Sequence, residues 1–85
     1  MFQIYFYNPE DHKAHGMEFH FDTLYGACYW ARKFATHYHA VSDVQDMETG
    51  EVLVTFDKDG EYVYLAESVI KFQLIDVKIL YAPID

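Results

Sequence analysis

The sequence predicts an α+β fold in which one helix, about residues 23–38, packs on an antiparallel sheet. Three observations predict it. Two N-terminal segments alternate apolar and polar residues, the period of a half-buried strand. A long segment then repeats its apolar residues with a period near 3.6. Beyond it, short β-branched and aromatic runs are separated by two glycine-bearing turns. The expected order is β-β-α-β-β-β, followed by a further C-terminal strand or short helix. The 85 residues form one expected domain, 1–85, with 52% hydrophobic residues including 7 Phe and 8 Tyr to build its core.

Element by element, "FQIYFY" sets Phe2, Ile4 and Phe6 on one strand face and Gln3, Tyr5 and Tyr7 on the other. "NPEDHKAHG" reads as a loop opened by Asn8-Pro9. "MEFHF" alternates again, with Met17, Phe19 and Phe21 inward and Glu18 and His20 outward. The helix follows in "DTLYGACYWARKFATHY", capped by Asp22 or Thr23. Its expected core stripe is Leu24, Ala27, Cys28, Ala31, Phe34, Ala35 and Tyr38, which leaves Tyr25, Tyr29, Arg32 and Thr36 on the outer side. "AVSDVQDMETGEVLVTF" reads as strand, turn, strand, with Val52, Val54 and Phe56 inward. Val41 and Val44 are an odd number apart, which predicts a bulge in the strand that holds them. "DKDGE" is a second turn and leads into the strand "YVYL". In the tail, "DVKILY" suits a strand, whereas Val69, Ile70 and Leu74 suit a short helix.

Chemistry-bearing motifs are few. His37 and His39 share a face only if that stretch is extended, and "HKAH" lies beside a proline. No spacing matches a metal motif, so no cofactor and no metal is expected, and "KFATHYHAV" reads as a helix end. "DKDGE" in a calcium-loop frame would lose its first acid and its terminal glutamate. Lone Cys28 sits on the core stripe, where a free cysteine acts as a small hydrophobe. The expectation is a protein that is not an enzyme.

Charge is more informative. Fourteen Asp and Glu stand against 6 Lys and Arg, a net charge of −8. Such a chain repels a phosphate backbone and an anionic membrane and attracts a basic protein surface. Half of the acids fall in one stretch: Asp43, Asp46, Glu48, Glu51, Asp57, Asp59 and Glu61, opposed only by Lys58. With the outward Tyr25 and Tyr29 they form the expected partner-binding set, the acids for attraction and the tyrosines for packed contact. The start lacks the basic and apolar regions of a signal peptide, and with a single cysteine a cytoplasmic setting is expected.

A small, acidic, Tyr-rich chain of this order resembles products of phages and mobile elements, across "FDTLYGACYWARKFATHY" and "DVQDMETGEVLVTFDKDGEYVYL". It is similar in character to anti-CRISPR and anti-restriction inhibitors, several of which imitate DNA or block a nuclease's DNA-binding surface. The resemblance implies a non-enzymatic inhibitor in the host cytoplasm. Its partner would be a protein with a basic surface, an RNA-guided nuclease among the candidates, with no direct nucleic-acid binding. It assigns no residue roles. The alternative is a small regulatory or structural module that forms a homodimer through a tail strand, and a His-dependent metal-binding protein ranks behind both.

Overall fold

The computed structural model describes residues 1–7 and 14–81, with side chains for 1–7 and 19–81. Its elements are β1 (Phe2–Tyr7), β2 (Ala14–Phe21), α1 (Leu24–Tyr38), β3 (Val41–Asp46), β4 (Val52–Phe56), β5 (Tyr62–Leu65), α2 (Glu67–Lys71) and a 3₁₀ turn, η1 (Val77–Tyr81). The strands form one antiparallel sheet in the order β2-β1-β3-β4-β5. The turn from Asn8 and the histidine at position 12 lie outside the described residues, and the strand after them begins at Ala14.

Local chemistry explains α1. Thr23 has extended φ and ψ, and its hydroxyl accepts the Gly26 N–H at 3.0 Å, which satisfies one free donor of the first turn. At the other end His39 takes the left-handed conformation, φ 52°, and stops the helix. "KFATHYHAV" is therefore a helix end, as its periodicity predicts. Leu24, Ala27, Cys28, Ala31 and Ala35 are buried. Four of these five are small, so the helix sits close against the sheet and its core stripe is narrow. Phe34 and Tyr38, expected in that stripe, fall at its rim. Tyr38 is 56% exposed.

Ile4, Val44, Val54 and Phe56 rise from the sheet to meet this stripe, each fully buried. Burial of such a side chain contributes roughly 1.5–3 kcal/mol. Ala66, Val69, Ile75 and Leu80 from the tail join the same core. α2 and η1 therefore cover the sheet face that α1 covers. The tail forms a short helix and a 3₁₀ turn, so "DVKILY" is no strand, and self-association through a tail strand has no basis among the described residues.

Three local departures correct the sequence reading. The expected bulge in β3 is absent, since β3 pairs with β1 without interruption. Val41 simply faces outward, and Ser42 takes the inner position beside Val44. The register shift against β3 lies instead on β4, where Gln45 pairs with Val52 and Val44 with Val54. Leu53 is the extra residue, and it is buried together with Val54. A larger shift on β2, between the Gln3 and Tyr5 pairs, breaks the alternation there. Phe19, expected inward, is 67% exposed.

Candidate protein-binding surface

The sheet register decides where the acids go. β3 and β4 join through a turn at one end of the sheet, and β4 and β5 through a turn at the other. β4 spans five residues, so at about 3.3 Å per residue the two turns lie roughly 16 Å apart. The acids of residues 43–61 therefore form two groups rather than one rim. Asp46, Glu48 and Glu51 occupy the first end, and Asp57, Asp59 and Glu61 the second. Asp43 belongs to neither: it lies mid-sheet on the open face, half-buried, and accepts the Thr55 hydroxyl at 2.7 Å. Consecutive hairpins must turn at opposite ends, so this division was legible in the sequence once the strands were assigned.

The first end gathers more charge than its own turn supplies. Phe2 pairs with Phe21 on one side and Asp46 on the other, which brings the end of β2 and the start of α1 to this end. Asp22 and Tyr25 arrive with them. The Met47 N–H donates to the Met1 carbonyl at 3.1 Å and ties the chain start to the turn. The Ser68 hydroxyl donates to Glu51 Oε1 at 2.8 Å, so α2 enters here too and adds Glu67. Asp22, Asp46, Glu48, Glu51 and Glu67 thus share one end of the molecule. Only long-range pairing unites Asp22 and Glu67 with the turn, which is why sequence reasoning missed them.

Both turns are held by their own carboxylates. Asp46 Oδ1 accepts the Glu48 N–H at 2.8 Å. Asp57 Oδ1 accepts the N–H groups of Asp59 and Glu61 at 2.9 and 3.0 Å. Gly50 and Gly60 complete the turns with φ of 75° and 80°, a region open to glycine. None of the turn carboxylates has a cation partner among the described residues.

Tyr25 and Tyr29 do lie on the outer side of α1, at 58% and 39% exposure. Tyr25 stands at the acidic first end. Tyr29 belongs to a different feature, an aromatic row along the helix. It meets Trp30 edge-on at 5.4 Å, Trp30 stacks on Phe34 at 5.7 Å, and Phe34 on Tyr38 at 6.0 Å. Tyr38 continues onto Phe6 of β1 at 5.9 Å with rings nearly parallel. The i,i+4 spacing of Trp30, Phe34 and Tyr38 carried this signal, masked by the assignment of two of them to the core. Lys33 lies over both Tyr29 and Trp30.

Arg32, expected on the open side with Tyr25 and Tyr29, is a clamp. Its Nε donates to the Gly60 carbonyl at 3.1 Å and its Nη1 to the Ile79 carbonyl at 3.0 Å. One guanidinium thereby ties α1 to the second acidic turn and to η1. Partial burial lowers its affinity for the proton.

Cys28 has its thiol pushed up to about 12 by burial, with Arg32 pulling weakly the other way. A thiol held that high is no nucleophile near neutral pH. Among the described residues no three His, Cys, Asp or Glu side chains converge as metal ligands. No described helix is long and apolar enough to cross a membrane. No protein-family model, curated protein or solved structure matches the chain.

Proposed function

We propose that this chain is a non-enzymatic inhibitor that binds a basic surface of a nucleic-acid-processing enzyme, in the manner of the anti-CRISPR proteins it resembles. One observation carries the reading: Asp22, Asp46, Glu48, Glu51 and Glu67 share one end of the molecule with no cation partner among the described residues. A cleft of Arg and Lys built for phosphates meets there a set of anions gathered from the 46–51 turn, the start of α1 and α2. Charge of that kind speeds encounter and aligns the partner, and Tyr25 beside it supplies packed area that slows release.

The test is competition. A guide-loaded RNA-guided nuclease is held on its target DNA, the protein is added at low salt, and retained DNA is read by gel shift. Displacement that vanishes in the triple variant Asp46→Asn, Glu48→Gln, Glu51→Gln supports the reading. Binding to a nuclease that ignores both this neutralisation and added salt refutes it. The same assay on DNA-binding enzymes without a guide asks whether the partner class is wider.

A further inference from the structure

We infer that the chain forms a two-fold dimer through the free edge of β5, continuing its sheet into that of a second copy. β5 pairs with β4 alone, so one edge of it carries backbone groups without a strand partner among the described residues. Its four residues, Tyr62–Leu65, hold no charge and no proline, and the register shift against β4 between Thr55 and Phe56 leaves Val63 as an extra residue with no β4 partner. Val63 points outward at 64% exposure.

The apolar surface continues past the strand. Tyr62 and Tyr81 join hydroxyls at 2.5 Å with ring centroids 5.4 Å apart, which links β5 to η1. Tyr81 and Ile70 then line an open groove of about 550 Å³ between η1 and α2. Val63, Ile70 and Tyr81 are exposed at 64%, 59% and 69%, whereas Tyr64 pairs with Thr55 and faces the open side of the sheet. An extended apolar side of this kind marks an interaction surface.

Charge selects the occupant. Residues 62–81 carry Lys71 and Lys78 against Glu67 and Asp76, a net charge of zero, within a chain of −8. A basic partner gains nothing here over the acidic ends. A second copy, repelled by those ends, finds here a long stretch where its own charges balance. Pairing β5 with β5 is also self-complementary, as a closed two-fold contact requires.

The geometry tolerates the remaining repulsion. Antiparallel pairing sets the 46–51 turn of one copy at the same end as the 57–61 turn of the other. Three strand spacings of about 4.8 Å separate them, roughly 14 Å. That exceeds the Debye length of about 8–10 Å at physiological salt, so the turns hardly sense each other there. Dimerisation should therefore tighten with added salt, whereas binding of a basic partner weakens with it. The two readings stand or fall separately.

Sedimentation velocity on the full chain tests the dimer, from micromolar to millimolar protein at low and at physiological salt. The expected mass rises from 10.0 kDa to twice that value, at lower concentration when salt is present. Val63→Lys, on the exposed edge, and Ile70→Ser, in the groove beside Tyr81, should each remain monomeric with unchanged circular dichroism. A wild-type chain monomeric throughout, a mass that climbs past the dimer, or a dimer that survives both substitutions overturns the inference.

Discussion

At the scale of single residues, two buried groups set measurable behaviour. Cys28 keeps its proton in the fold up to about pH 12, while the unfolded thiol loses its own from about 9.0. The folded pKa is the raised one, so its contribution is complete below pH 9 and declines as pH rises toward 12. Stability is expected to fall across that window by up to about 1.4 kcal/mol per pH unit from this thiol. Tyr7, raised by burial and by Asp43, adds to the fall with the same sign. Denaturant titrations between pH 8 and 11 check this, and Cys28→Ala should flatten the profile; an unchanged slope would remove the thiol as its source. Ser42 is the second case. It occupies an inner-face position of β3 with its hydroxyl buried and unbonded among the described residues. An unpaired buried polar group is destabilising by about 1–3 kcal/mol. Ser42→Ala is expected to raise stability by about 1 kcal/mol, and a loss instead would mean that the hydroxyl has a bonding role.

Between elements, the guanidinium of Arg32 does what the apolar core leaves undone. The core joins α1 to the sheet and takes in Leu80 of η1, with Val77 and Ile79 packed against it, yet the 57–61 turn is polar. Two hydrogen bonds from one cation hold both to the helix. A bond from a charged donor contributes about 1.5–3 kcal/mol, so Arg32→Ala should destabilise by about 2–3 kcal/mol in thermal or chemical melts. Arg32→Lys keeps the charge but has no fork to reach both carbonyls, and should recover less than half of that loss. Amide exchange supplies the distinguishing readout. Protection should fall at Gly60 and through Val77–Tyr81 before it falls in β1, and a uniform fall would make Arg32 an ordinary core contact.

For the whole molecule, the consequence is polarity of charge. Among the described residues, Asp22, Asp46, Glu48, Glu51 and Glu67 gather at one end, and the turn at the other holds Asp57, Asp59 and Glu61 with the Lys58 ammonium among them. If the first end meets a basic partner, Asp46→Asn with Glu48→Gln and Glu51→Gln should lower the on-rate more than Asp57→Asn with Asp59→Asn and Glu61→Gln. The difference should shrink as salt rises. Tyr25→Ala is expected to act on the off-rate instead. Stopped-flow association at two ionic strengths separates these effects. Equal slowing from both triple variants would return the acids to a diffuse field with no preferred end.

By itself the sequence determined what depends on neighbours along the chain. The 3.6-residue period places α1, Asp22 and Thr23 stand before it as candidate caps, and two glycine turns divide the second half into strands. The charge of −8 is a property of composition. Tertiary structure decided what depends on residues far apart. Strand pairing drew Asp22 and Glu67 to the Asp46 turn and sent Asp57 to the opposite end. The close approach of a small-faced helix pushed Tyr38 out to stack on Phe6, and register shifts exposed Phe19 and buried Leu53. The tail had period enough for either state. It became helical because Val69 and Leu80 found room in a core already walled on one side by the sheet, and because the Ile79 carbonyl met Arg32. Local propensity sums over a few residues and can be read in order, whereas burial and register are settled only when distant segments meet.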